Sequence, residues 1–426
     1  MSTNKKYITG TWSGDKLISK YVDMLTNRLK EVKASDWKKG WMGVDRKKFE
    51  GKDIYLGFPQ NLRGGHYNGS NLFFLFLDAS RNNYHTPIYL TEKQAKDLGV
   101  WITDIRNPMP ISFYDTRYYK KETAEERNYR MKSVKEKAKS IDWKTWKDLP
   151  KEERDKYSSY PIPRAFFVYN IDQTDMEKVK PELYNKQMSK FYIPQEFKDS
   201  EGMYINKALD HMIENQDWAC RFKIDKYTKY PCYNVGRDVI TIPEKAQYKI
   251  GKTPDENYVQ GQVYYSSIVH EMFHSLGIES RLNRKTLADY SIDDKAHAKE
   301  ELSAEMSSAV FCYMLGFDAK IDDRHVAYFS SWLQGLDNDP KYLRSILSDV
   351  KKGVDQIIEV YNKECLAVGM KPLMEVKDEK ESSKEQSEDK TLKKSETKGK
   401  KTTQDIPKEM VERELTPNKV KGLSLS

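Results

Sequence analysis

The stretch 264–284, YYSSIVHEMFHSLGIESRLNR, carries two histidines four residues apart with a glutamate directly after the first. On a helix, positions i and i+4 lie on one face a turn apart. His270 and His274 can then share one tetrahedral Zn²⁺, while Glu271 projects towards the open coordination position as a catalytic base. The flanking residues suit that helix. Tyr264, Ile268 and Met272 recur at fours, Ser266 and Ser267 are small enough for close packing, and Gly277 ends the run.

A catalytic zinc takes three protein ligands and a water, so a third donor is needed, commonly a carboxylate from a following helix. Residues 299–306 read KEELSAEM and put Glu301 and Glu305 one turn apart. Glu301 is assigned to the metal. Glu305 is assigned to hold a ligand histidine by accepting its second ring N–H. Glu305 or Glu300 as the ligand remain the alternatives, since the helix face does not separate them. Leu302, Ala304 and Ala309 argue against a fully solvated acidic face. For His297 a surface position is expected. Arg281 and Arg284, just past the metal helix, can reach the supporting carboxylates or an anionic partner.

At 426 residues the chain exceeds one usual core, and two domains plus appendages is the expected organisation. Hydrophobic residues are 38% and charged residues 32% of the whole, and the apolar deficit concentrates in 375–426, expected as a disordered tail. The net charge of +8 divides into about +12 for residues 1–165, about −5 for 166–374 and about +1 for the tail. A basic first half suits a polyanion partner. The four cysteines form no CxxC pair, which leaves reduced structural thiols as the expectation. No leader-like segment and no run of roughly 18 apolar residues is found, so a cytoplasmic protein without a membrane partner is expected.

Hydrophobic spacing predicts a helix over 15–33 and leaves the apolar run in 59–77 (PQNLRGGHYNGSNLFFLFL) open between strand and helix. A strand, a Thr91 cap and a helix follow in PIYLTEKQAKDLG, then strands at 109–114 and 164–170. The polar, helix-forming text of 115–159 predicts a charged helical insertion on the surface. The expected fold class is α+β: a nucleic-acid-binding domain at 1–175, a linker at 176–197 and a second domain at 198–370. In the latter, a helix near 203–215, two short strands about a turn at 234–238, and helices at 258–276 and 296–315 are expected. Single strands are held by basic grooves with aromatic faces. The first half offers Trp37, Trp41, Tyr55, Tyr67, Tyr84 and Trp101 among Lys38, Lys39, Arg46, Lys47, Lys48 and Arg63.

The metal-helix stretch followed by AKEELSAEMSSAVFC resembles the metallopeptidase domain of ArdC-type antirestriction proteins. NLRGGHYNGSNLFFLFL, YLTEKQAKDLG, PISFY and RAFFVYNIDQ resemble, in order, that family's single-stranded-DNA-binding domain. The likeness covers about 10–370 and is strongest over 258–315. It implies a DNA-binding module joined to a zincin-like metallopeptidase, on a mobile element, protecting incoming DNA from restriction. His270, Glu271, His274 and Glu301 take the zinc and base roles. Asn61, Tyr67, Gly69 and Asn71 fall on the N-terminal signature. Single-stranded DNA and an unidentified protein substrate are the implied partners. A DNA-coating protein with a non-catalytic zinc site and an effector peptidase are the competing functions.

Overall fold

The computed structural model describes residues 12–35, 40–42, 57–67, 69–123, 140–189, 191, 197–317, 326–338 and 340–373. The tail expected at 375–426 lies outside the described residues, as does 124–139 within the expected insertion.

The first half is a mixed sheet with helices against it. After β1 (Trp12–Ser13), helix α1 (Gly14–Ala34) is capped by Ser13, whose Oγ accepts Lys16 N–H at 3.3 Å. Its Leu25, Leu29 and Val32 are buried. β2 (Gln60–Asn61), α2 (Ser70–Asn82), β3 (Ile88–Leu90) and α3 (Glu92–Leu98) follow, then β4 (Met109–Lys120), β5 (Ser140–Ile141), α4 (Trp143–Asp148), α5 (Lys151–Arg154) and β6 (Tyr157–Asn170). The sheet order is β2-β3-β6-β4-β5, with β1 also paired to β6. Thr91 closes a capping box on α3.

The LFFLFL run is helical. Asn71 through Ala79 are all buried in α2, because the sheet lies against it and helices of the second half cover it as well. Tyr21 stacks on Phe74 at 3.9 Å, and Phe76 meets Tyr313 at 4.9 Å. A helix buried all round carries no amphipathic period, which is why the run reads ambiguously.

Two expectations are corrected. The two ends of 115–159 are β-ribbon: β4 and β6 pair antiparallel from Met109↔Val168 to Lys120↔Tyr157, and among the described residues between them lie β5 and the short helices α4 and α5. Tyrosine-rich strand text pairing with its partner far along the chain overrides local helix propensity. Residues 176–188 are no bare linker either. They form α6 (Met176–Val179) and α7 (Pro181–Met188), and Met176, Tyr184 and Met188 pack with Ile88, Leu90 and Tyr169 in a second buried cluster.

The second half opens with α8 (Lys207–Asn215), capped by Asn206. A three-stranded sheet follows, in which β9 (Val239–Ile242) lies between β7 (Arg221–Ile224), parallel to it, and β8 (Cys232–Asn234), antiparallel to it across the expected turn. Asp238 in that turn has φ 49°. The long helix α9 (Pro254–Ser275) starts with Thr253 as cap and Pro254 in its first turn. After α10 (Lys285–Ala288) and α11 (Asp294–Met314) come α12 (Phe329–Asn338) and α13 (Pro340–Ala367). Gly353 on α13 is needed for packing, since a Cβ there would meet the Phe273 ring at 2.5 Å. Leu25 of α1, Phe74 of α2, Met272 of α9, Phe311 of α11 and Ile357 of α13 belong to one buried cluster, so the two halves share a core. Among the described residues, no helix is long and apolar enough to cross a membrane.

Asn71, a candidate DNA contact, is used inside this core. Its Nδ2 donates to Ser112 O at 2.9 Å, and its Oδ1 accepts from Ser112 N–H at 2.7 Å and Tyr21 Oη at 3.2 Å, which ties α2 and α1 to β4. Asn71→Ala strands the part-buried Ser112 amide, so denaturant unfolding should show a loss of roughly 1–3 kcal/mol. Affinity for single-stranded DNA, measured on the folded variant, should stay at the wild-type value.

Candidate metal centre

Helices α9 and α11 pack along their lengths because small side chains line the contact. Ser308 Oγ on α11 donates to the carbonyl of Ser266 on α9 at 2.9 Å. This closeness brings three side chains together. His270 Nε2 and His274 Nε2 are 3.0 Å apart, Glu301 Oε2 is 3.3 Å from the first and Glu301 Oε1 is 3.5 Å from the second. All three residues are buried, and each offers one ligand atom within 4.8 Å of the others.

The far ring nitrogens face carboxylates. His274 Nδ1 lies 3.1 Å from Glu300 Oε1, and His270 Nδ1 lies 3.7 Å from Glu305 Oε1. A neutral imidazole with its proton on Nδ1 turns the Nε2 lone pair inwards. Two such lone pairs 3.0 Å apart repel each other, whereas two imidazole nitrogens and one carboxylate are the donor set of a zincin cation. The residues present therefore fit a divalent metal.

Glu300 is fully buried, and Arg284 explains how it stays charged. The guanidinium donates from Nη2 to Oε1 at 2.5 Å and from Nε to Oε2 at 3.1 Å, while Thr286 Oγ1 donates to Oε2 at 2.5 Å. Burial pushes the Glu300 carboxyl up, but the hydrogen bond with His274 and the Arg284 charge outweigh it and hold it at about 2. His274 is pulled down by burial, yet the charges of Glu301, Glu300 and Glu271 leave it above the ordinary imidazole value. Arg284 also donates to Phe273 O at 2.8 Å and lies 4.0 Å over the Phe273 ring.

Glu271 Oε2 accepts the backbone N–H of Tyr233, on strand β8, at 2.7 Å. Tyr290 donates its hydroxyl to Glu301 Oε1, and burial together with that carboxylate pushes its phenol up. His297 is not a plain surface residue. It lies between the rings of Tyr290 at 3.8 Å and Tyr328 at 4.7 Å, with Nε2 3.8 Å from Glu301 Oε1.

Thus Glu300, weighed as an alternative ligand, faces the outer nitrogen of His274, and Glu305 is the carboxylate beside His270. Arg284 meets Glu300 alone of these two. Arg281 instead pairs with Asp238 at 2.6 Å and bonds Ser275 O at 2.6 Å. The Tyr290–Glu301 contact had no spacing signal in the sequence.

The expected DNA residues do not converge in the same way. Asn61 turns its Oδ1 onto the amides of Arg63 and Gly65 at 2.9 and 3.0 Å, which fixes a turn, and Tyr67 is buried. Arg63 is exposed, and Gly69, at φ 62°, precedes α2 as its N-cap. Lys47 and Lys48 lie outside the described residues. Among the described residues of the first half, the exposed aromatics are elsewhere: Tyr114 (61%) and Tyr160 (55%) on the β4–β6 ribbon, Trp143 (54%) beside it, and Trp101 before β4.

Comparisons with known proteins follow the same division of the chain. The N-terminal domain of anti-restriction factor ArdC matches residues 15–168, and the zincin-like metallopeptidase family matches residues 207–347. The chain is 29% identical over 132 residues to the DNA primase TraC of Escherichia coli, which is 31% of this chain and 8% of that protein. It is 26% identical over 133 residues to the uncharacterized protein y4eC of Sinorhizobium fredii (strain NBRC 101917 / NGR234), 29% of this chain and 41% of that one. The chain thus spans less than half of these curated relatives. The metal-free crystal structure of the antirestriction ArdC protein from plasmid R388 superposes with a TM-score of 0.52 at 20% identity, over 80% of this chain and 98% of that one. Its Mn(II)-bound form gives 0.50 at 20% identity, over 81% and 98%. The fold is therefore that of R388 ArdC, and the chain is an ArdC-type protein, joining the N-terminal domain of that antirestriction family to a zincin-like metallopeptidase domain.

Proposed function

We propose that this chain is a single-stranded-DNA-binding antirestriction protein of a mobile element and also a zinc-dependent peptidase, acting in the cytoplasm of the cell that holds or receives the DNA. The observation that carries the peptidase reading is the convergence of His270 Nε2, His274 Nε2 and the Glu301 carboxylate beside Glu271. His270, His274 and Glu301 are the ligands in this reading. Zn²⁺, when bound, supplies a Lewis acid that activates water and polarises a peptide carbonyl. That a protein of the same fold has a Mn(II)-bound structure supports a divalent cation here.

The chain's own groups divide the remaining work. Glu271 accepts the water proton and returns it to the leaving amine. Glu300 and Glu305 keep the imidazoles oriented, and Tyr290 fixes one oxygen of Glu301. Residues 1–175 are the DNA-binding unit and 198–370 the peptidase, with an unidentified protein as substrate. For the strand, the ribbon is the best-supported surface. Arg117 lies opposite Tyr160, Phe113 opposite Arg164, and Tyr119 meets Tyr160 at 5.4 Å, which puts stacking faces and cations on one face, where Asp115 lies 2.9 Å from Arg117 and 4.0 Å from Arg164.

One contact favours a second reading, in which the centre is non-catalytic and protection comes from coating the strand. The Tyr233 amide donates to Glu271 Oε2 at 2.7 Å and so occupies an oxygen that a base would turn towards water.

Two measurements test these readings. Glu271→Gln should retain stoichiometric zinc and DNA affinity while hydrolysis of a host-lysate protein falls by orders of magnitude. His270→Ala should lose the zinc. Loss of DNA protection in Glu271→Gln assigns protection to proteolysis; full protection assigns it to coating. Binding of single-stranded DNA by the full chain should weaken steeply with salt, and Tyr160→Ala should weaken it by roughly 1–3 kcal/mol. Salt-independent binding, or an unchanged Tyr160→Ala, would remove the ribbon from the reading.

A further inference from the structure

Trp41 belongs to the N-terminal half, yet its indole ends at the metal centre 264 residues further on. Its Nε1 donates to Glu305 Oε2 at 3.2 Å, while the other oxygen of that carboxylate faces His270 Nδ1 at 3.7 Å. We infer that Trp41 is a positioning residue of the metal centre, acting through Glu305 on His270. The inference rests on the metal reading proposed above.

Four observations support it. The indole is fully buried, as is Met42 beside it, so the contact is shielded from competing water. The backbone is clamped: Arg28 of α1 donates from Nε to Trp41 O at 2.7 Å and from Nη2 to Gly40 O at 2.6 Å. The ring is wedged against Trp332, at 6.3 Å between centroids, and Trp332 is itself anchored by its Nε1 to Ala298 O of α11 at 2.7 Å. Finally, an indole N–H can only donate, so it selects a carboxylate oxygen and leaves the other one turned to the imidazole.

The physical consequence follows from burial. Glu305 is almost wholly buried, and a buried carboxylate deprived of a donor turns towards another partner. It then loses its hold on the Nδ1 side of His270, and with it the ring orientation that points Nε2 at the cation. A phenylalanine at 41 keeps most of the packing and removes only the donor. Loss of a group that orients a metal-bound histidine typically weakens metal affinity about 10–100-fold.

The test uses the full chain and measures Zn²⁺ affinity by competition with a chromophoric chelator, together with the visible spectrum of the Co²⁺-loaded protein. Trp41→Phe should bind Zn²⁺ about 10–100-fold more weakly and shift the Co²⁺ bands. Tyr89→Phe, which removes an equally buried donor that meets Leu75 O and not Glu305, should keep wild-type affinity and bands. Trp41→Phe placed on Glu305→Gln should add little to the loss from Glu305→Gln alone, since the two act in series. Should Trp41→Phe fail to fold, Arg28→Gln frees the Trp41 carbonyl with the indole still in the chain, and a smaller loss in the same direction is expected. Unchanged affinity in Trp41→Phe or Arg28→Gln, equal losses in Trp41→Phe and Tyr89→Phe, or full additivity with Glu305→Gln would each overturn the inference. A wild-type chain that takes up neither Zn²⁺ nor Co²⁺ overturns the metal reading and this inference together; normal wild-type uptake with an unchanged Trp41→Phe overturns only the inference.

Discussion

The buried ion pair between Arg284 and Glu300 holds the centre of this protein in place. A carboxylate with no solvent exposure is stable as an anion only if its charge and its lone pairs are met. Arg284 meets the charge with two N–H donors, Thr286 supplies a third hydrogen bond, and the oxygen nearest His274 is thereby fixed against the ring. The guanidinium is fixed in turn by the ring and the carbonyl of Phe273. Phe273 reaches that position because Gly353 leaves room for its ring. A hydrogen atom on α13 is thus linked, through three side chains, to the tautomer of a histidine on α9.

The metal helix was legible because its signal is local. Two histidines and a glutamate at fixed spacing specify a helix face without knowledge of the rest of the chain. The carboxylates were less legible. Glu300 and Glu301 differ by about 100° around their helix, and only the rotation of α11 against α9 decides which one faces inwards. Arg284 could be read as a cation near the centre, but not as the partner that makes Glu300 an orienting group. Tyr290 comes from the loop after α10 and carries no periodic signal at all.

Elsewhere, the failures have a common cause in contacts made far along the chain. Residues 115–120 and 157–159 are rich in local turn and helix text, yet each completes its backbone hydrogen bonds with the other. Asn61 and Asn71 were read as surface groups on a glycine-rich loop, and both are consumed by backbone amides. Trp41, one of the first-half aromatics of which most belong by default in a core, has its N–H and ring committed there.

The continuity of that core bears on how such chains can be recombined. A chimera spliced near residue 190 would keep the HEMFH text and both following glutamates unaltered, but it would expose the faces of α2, α11 and α13 that now cover one another. It would also place an unrelated loop where Trp41 meets Glu305. Exchange between relatives would therefore have to carry matching surfaces from both halves, so an intact motif does not by itself mark an intact centre.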